Sequence, residues 1–127
     1  MQLLLDTHIL IWFINGDVQL TEDLRGSIKN LKNQCYVSIA SIWEIAIKTR
    51  LGKLNLNISF DILKAILITN QIQLLPISFE HTQQLLSLPL HHTDPFDRLI
   101  IAQAVYENMV IVSKDAKFRL YDITLLK

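Results

Sequence analysis

Five short strand-like runs, at residues 2–5, 35–38, 73–77, 110–113 and 123–126, alternate along this chain with segments of helical periodicity. The first, second and fourth are almost continuously apolar, as in Leu3-Leu4-Leu5 and Val110-Ile111-Val112. Strands of that kind are buried on both faces of a sheet, whereas a half-exposed strand alternates apolar with polar residues. Helical spacing fills the intervals at 8–15, 22–30, 42–51, 60–69, 79–87 and 95–107. Strands that alternate with helices pair in parallel through right-handed crossovers, and the helices cover both faces. The expected fold is therefore α/β, a three-layer α/β/α sandwich around a central parallel sheet. In such sheets ligands bind beyond the carboxyl ends of the strands, where the strand order reverses.

Composition narrows the class further. Half of the 127 residues are hydrophobic and the mean hydropathy is +0.30, so the expectation is one domain, 1–127, with one continuous core. The 12 Lys and Arg residues balance 12 Asp and Glu, which leaves no global field to draw the chain onto nucleic acid. Any such binding must use a local patch. A lone cysteine, Cys35, has no intramolecular disulfide partner and fits the core of a cytoplasmic protein. The apolar start, Met1 to Leu5, lacks a basic flank and a cleavage site, and no stretch is long enough to span a membrane.

Against this apolar background the placement of the acids is informative. Asp6 directly follows the first strand, and Asp115 follows the fourth through Ser113-Lys114. Asp94-Pro95-Phe96-Asp97-Arg98 opens an apolar helix, where Asp94 suits the N-cap, Pro95 the first turn and Asp97 the positive end of the helix dipole. Glu44 lies in Ser41-Ile42-Trp43-Glu44, which matches a capping box at the start of the third helix, while Thr7 is placed to cap the first. Each acid alone reads as a cap or turn residue. Together, Asp6, Glu44, Asp97 and Asp115 map to the same edge of the expected sheet from four separate elements. At about 6 Å and an effective dielectric near 20, each ionised pair repels by roughly 3 kcal/mol. Such a cluster needs a divalent cation or must take up protons. Ligation by oxygen alone favours Mg²⁺ or Mn²⁺ over Zn²⁺.

The other chemistry-bearing residues offer weaker patterns. His91 and His92 are adjacent, which is not the spacing of two ligands on one helix face, and both read as loop residues near the acids. His8 and His81 lack a supporting context, and no glycine-rich phosphate loop or nucleophile triad is present. Lys48, Arg50, Lys53 and Arg98 lie close to the acids in sequence order and are candidates for holding a nucleic-acid backbone. Leu10-Ile11-Trp12-Phe13-Ile14 is apolar beyond what one core-facing stripe needs, which makes Trp12 or Phe13 a candidate for a partner groove.

The segments Leu5-Asp6-Thr7-His8, Ser41-Ile42-Trp43-Glu44-Ile45, Asp94-Pro95-Phe96-Asp97-Arg98-Leu99-Ile100 and Val112-Ser113-Lys114-Asp115, in this order, resemble a PIN-domain ribonuclease. Within that group they look like a VapC-type toxin of a bacterial toxin–antitoxin pair, over essentially the whole chain. The resemblance implies a PIN-like fold and a metal-dependent endoribonuclease. It further implies that Asp6, Glu44, Asp97 and Asp115 hold Mg²⁺ or Mn²⁺, and that the partners are RNA, an antitoxin and a second copy of the chain. Asp94 is an extra acid at this point of the pattern; with Thr7 and Ser113 it is a candidate to support the ligands from behind. Two alternatives remain open on sequence alone. One is a binding module of the same fold whose acids only cap helices, and the other is a PIN nuclease of RNA processing or DNA repair.

Overall fold

The computed structural model describes residues 1–127 and contains one five-stranded, all-parallel sheet flanked by helices, as the alternation predicts. Strands β1 (Gln2–Leu5), β2 (Gln34–Ser38), β3 (Ile72–Leu75), β4 (Val110–Val112) and β5 (Leu125–Leu126) lie in the order β3-β2-β1-β4-β5. Helices α1 (Thr7–Asn15), α2 (Glu22–Lys29), α3 (Ile39–Arg50), α4 (Leu63–Thr69), α5 (Phe79–Leu85) and α6 (Pro95–Glu107) connect them. The chain adds β2 and β3 on one side of β1, then crosses to add β4 and β5 on the other. The order thus reverses between β1 and β4, where Leu5 pairs with Val112. That places a crevice beyond Leu5 and Val112.

The period-two geometry of β1 sorts the core into two layers. Leu3 and Leu5 face a cluster built from α1, α2 and α4, with Ile9, Leu10, Leu24, Ile28, Leu63 and Leu67. Leu4 faces the opposite way, onto Ile100, Ile101 and Ala104 of α6 and onto Phe118 and Tyr121. Cys35 is a buried free thiol in the first cluster, and burial pushes its pKa up. No helix is long and apolar enough to cross a membrane.

Most elements shift at a boundary by one to three residues from the sequence reading, and three of the shifts bear on the sheet and its crossovers. The third helix starts at Ile39, three residues before the expected 42, because Ser38 Oγ accepts the Ala40 N–H at 3.0 Å and caps it there. Strand β3 stops at Leu75 rather than at 77, since Pro76 has no N–H to continue the ladder. Strand β5 is reduced to two residues beside β4. Gly16 closes α1 in the left-handed conformation (φ 63°), and α6 ends the same way at Asn108 (φ 57°).

Candidate metal centre

Asp6 and Asp115 follow β1 and β4 and line one cleft, Asp97 stands in the first turn of α6 with a ligand oxygen within 4.8 Å of one on Asp115, and Glu44 on α3 is near enough for its charge to act on Asp97. Asp6 is the N-cap of α1: its Oδ1 accepts the Ile9 N–H at 2.8 Å, and its Oδ2 accepts the hydroxyl of Ser113. The same Ser113 Oγ accepts the Asp115 N–H at 3.0 Å. One fully buried hydroxyl therefore joins the carboxyl ends of β1 and β4 and fixes two acids at once. Asp115 in turn caps the short 3-10 turn Ala116–Leu120 through the Lys117 N–H, at 2.9 Å. Asp94 caps α6, with its Oδ1 accepting Phe96 N–H at 2.8 Å and Asp97 N–H at 3.4 Å.

Two expected caps are corrected. Thr7 does not cap α1, because Asp6 already does; it donates instead to Ser41 Oγ at 2.9 Å and ties α1 to α3. Ser41 and Glu44 form no capping box, because α3 begins upstream of them and their local N–H groups are engaged within the helix. Glu44 is buried and meets Lys48 Nζ at 2.6 Å, one turn further along.

Proton affinities report how crowded this charge is. Burial raises the pKa of Asp6, against the hydrogen bonds from Ser113 and Ile9, which lower it. Asp97 is pushed up to about 6, first by burial and then by Asp94, Glu44 and Asp6. At Asp115 burial pushes upward, but the Lys117 N–H and His92 outweigh it and hold the carboxyl below its usual value. Lys48 is raised, chiefly by its hydrogen bond to Glu44, with Asp94 and Asp97 adding to the pull. Lys48 is the partly buried ammonium among the acids, with His92 acting on Asp97 and Asp115 and the exposed Lys117 on Asp115, and still Asp6 and Asp97 retain protons more strongly than free carboxyls do. A dense oxygen donor set of this kind, in which Asp6 and Asp97 are still raised, fits a divalent cation.

His92 was legible only as a loop neighbour, yet it is buried in the site. Its Nε2 lies 3.1 Å from Asp115 Oδ2, and His92, Asp97 and Asp115 can bring three ligand atoms within 4.8 Å of one another. Its position two residues ahead of Asp94 is the only sequence signal that pointed to it. Lys114 is a further candidate that the sequence pattern does not single out. It is exposed and lines an open cleft of about 290 Å³ with Asp6, His8, Trp12 and Asp115. Its place just beyond the carboxyl end of β4 is the one sequence signal that marks it.

The remaining candidates divide. Arg50 and Lys53 are exposed at and beyond the end of α3. Arg98 is engaged with the protein itself: Nη1 donates to Pro89 O at 2.9 Å and Nη2 to Leu85 O at 3.4 Å, which anchors the segment entering α6. Phe13 is corrected as a groove residue. It is 8% exposed, sits in the core and has the Arg25 guanidinium 5.5 Å over its ring. Trp12 is half-buried and lies on the cleft beside His8, with ring centroids 6.0 Å apart.

Fold and site together define an α/β protein that gathers carboxylates at the switch point of a parallel sheet. The profile of the PIN domain matches residues 3–123, and the chain belongs to the PIN-domain family. Similar solved structures include VapBC2 from Rickettsia felis bound to a DNA fragment from its promoter, with TM-score 0.72 and 19% identity over 99% of this chain and 98% of that one. VapBC-1 from nontypeable Haemophilus influenzae gives TM-score 0.67 and 20% identity, covering 100% and 98%. A toxin–antitoxin complex from Klebsiella pneumoniae gives TM-score 0.66 and 14% identity, covering 98% and 95%. At these identities the likeness shows a shared fold. No curated protein sequence matches the chain.

Proposed function

We propose that this chain is a metal-dependent endoribonuclease and the toxin of a toxin–antitoxin pair. The reading is carried by the mutual proximity of the acids: Glu44 and Asp6 act on Asp97, Asp115 acts on Asp6, and burial with these neighbours pushes the pKa of Asp97 up to about 6. These four carboxylates would hold Mg²⁺ or Mn²⁺. When bound, such an ion lowers the pKa of water and neutralises charge on the scissile phosphate.

The chain's own residues set the rest. Ser113 and the Ile9 N–H keep Asp6 aimed into the crevice, and Asp94 holds the first turn of α6 so that Asp97 enters from the opposite side. Lys114, exposed on the cleft rim, is suited to a phosphate of the RNA backbone, and Arg50 and Lys53 extend the positive surface beyond α3. RNA as substrate is supported by an open cleft bordered by the rings of Trp12 and His8, the kind of surface on which unstacked bases are held.

The full-length likeness to three toxin–antitoxin complexes supports an antitoxin partner. Ile39, Trp43 and Ile47 of α3 and Leu51 at its C-cap stand exposed at spacing four, which supports a homodimer contact on that face. Sedimentation of wild type and Trp43→Glu tests it, with a dimer expected only for wild type. We place the chain in the cytoplasm as part of this reading, with Cys35 as a buried core residue that needs no disulfide.

The deciding experiment is cleavage of total RNA with Mg²⁺, Mn²⁺ or EDTA, beside Asp97→Asn purified identically. Cleavage by wild type with metal, absent in EDTA and in Asp97→Asn, is the expected result. Equal activity in the two preparations would trace it to a contaminant. Failure of wild type to bind Mn²⁺ at all would remove the reading.

A further inference from the structure

We propose that Tyr121, acting through His92, positions Asp115 and keeps the imidazole out of the ligand set, so that the centre stays an oxygen-only site. The inference rests on the reading of the crevice as a metal centre. Geometrically His92 looks like a ligand, since it groups with Asp97 and Asp115 within 4.8 Å. A lone pair on Nε2 would turn an oxygen site into a mixed nitrogen and oxygen site, which suits Zn²⁺ far better than Mg²⁺. The hydrogen bonds around the ring decide where that lone pair is.

The backbone N–H of His92 donates to Tyr121 Oη at 2.9 Å, and His92 Nδ1 lies 3.0 Å from the same oxygen. A backbone amide can only donate, so Oη accepts there. Tyr121 is buried and has no other side-chain partner, which leaves His92 Nδ1 as the acceptor for the phenolic proton. Nδ1 is therefore the bare nitrogen, and Nε2 carries the hydrogen and donates it to Asp115 Oδ2, 3.1 Å away.

Packing holds the ring in that setting. Tyr121 stacks on it at 21° with centroids 5.5 Å apart, and Phe118 lies 4.9 Å away. Asp115 then receives a donor on each oxygen, Lys117 N–H on Oδ1 and His92 on Oδ2, although its side chain is 40% exposed. Each oxygen keeps a lone pair for a cation, and the carboxylate plane is set before one arrives. His92 and Tyr121 are positioning residues in this arrangement.

The test combines imidazole ¹⁵N spectra, recorded at pH 8.5 where an ordinary imidazole is neutral, with calorimetric titration of Mn²⁺ and Zn²⁺. Wild type is expected to show His92 with bare Nδ1 and protonated Nε2. In Tyr121→Phe the ring is released, Mn²⁺ binding weakens by about 10-fold or more, and Zn²⁺ gains relative to Mn²⁺. His92→Gln, whose amide nitrogen replaces the Nε2 donor, is expected to retain Mn²⁺ binding better than His92→Ala. A protonated Nδ1 in wild type overturns the proposal whatever the metal does. Unchanged Mn²⁺ and Zn²⁺ affinities in folded Tyr121→Phe also overturn it. Absence of Mn²⁺ binding in wild type with the expected spectrum instead overturns the metal-centre reading beneath it, and with it the positioning role.

Discussion

Lys48 Nζ lies 2.6 Å from Glu44 Oε2, and this ammonium is the one that Glu44, Asp94 and Asp97 all act on. It occupies the place of a counter-charge, one helical turn along α3 from a buried acid. This differs from the sequence reading of Lys48 as a free hand for RNA. In the absence of metal it balances part of the crowded negative charge.

Removing that ammonium while keeping its aliphatic stem isolates the electrostatic contribution. Lys48→Met leaves the buried Glu44 carboxylate without a partner, and the metal-free protein should lose about 1–3 kcal/mol. Mn²⁺ should recover most of the loss, because a bound cation takes over the missing charge. Urea midpoints of both proteins, with and without Mn²⁺, check this. An equal loss in both conditions would mean that the stem's packing, not the charge, was at stake.

Asp97 makes the metal-free protein sensitive to pH in a direction opposite to that of ordinary paired carboxylates. Its pKa rises from 3.8 in the unfolded chain to about 6 in the fold. Between those values the native state binds more protons than the unfolded one, so this group's contribution to stability falls as pH rises, and stays low above about 6. Asp115 works the other way: its lowered pKa contributes stability that is lost as pH falls through the acid range. Asp97→Asn should therefore stabilise the metal-free protein at pH 7.5 and leave it nearly unchanged at pH 4. Mn²⁺ must displace the Asp97 proton, so its affinity should fall about tenfold on going to pH 5. Thermal melts across this range, with Mn²⁺ and EDTA, read both effects. Mn²⁺ stabilisation that is flat from pH 5 to 7.5 would exclude Asp97 from the ligand set.

Ser113 offers a sharper lever on Asp6 than a mutation of the acid itself. Its hydroxyl donates to Asp6 and accepts from the Asp115 N–H, with no solvent access. Ser113→Ala removes a charge-assisted hydrogen bond, with an expected stability loss of about 1.5–3 kcal/mol at neutral pH. Burial is then less opposed, the Asp6 pKa climbs further, and Mn²⁺ affinity should drop at pH 6 more than at pH 8. Calorimetry at the two pH values checks the difference. A loss of the same size at both would assign Ser113 to the β1–β4 junction alone.

The parts of this arrangement that were legible in the sequence are those governed by local rules. Leu3-Leu4-Leu5 and Val110-Ile111-Val112 announce two-sided burial, and Asp94-Pro95 marks the start of α6 to the residue. The alternation of elements then implies the parallel sheet, and Asp6 and Asp115 fall at its switch point by chain position alone. What escaped depended on partners distant in sequence. Ser38 outcompeted Ser41 as the cap of α3, a choice between two similar serines that is settled by where β2 ends. Arg98 is indistinguishable in sequence from a solvated arginine until the carbonyls of Leu85 and Pro89 are folded against it. His92 gains its meaning from Tyr121, 29 residues away, and from Asp115 across the crevice.

Substitutions at Arg98 and Lys114 test positioning apart from contact with the proposed RNA substrate. Arg98 bridges two carbonyls of the segment before α6, so Arg98→Ala should loosen that segment and lower the melting temperature without changing the salt dependence of RNA binding. Lys114 is exposed on the cleft rim beside Asp6 and Asp115 and makes no ion pair. Lys114→Ala should leave the stability within about 0.5 kcal/mol of wild type. It should weaken RNA binding and reduce the slope of log K against log salt by about 0.7, the value for one contact to a single strand. Binding of a labelled single-stranded RNA to Asp97→Asn, with and without each second change, over a range of KCl concentrations makes the comparison without cleavage. A reduced slope for Arg98→Ala and an unchanged one for Lys114→Ala would reverse the two assignments and move the phosphate path from the β4 side of the crevice to the α6 side.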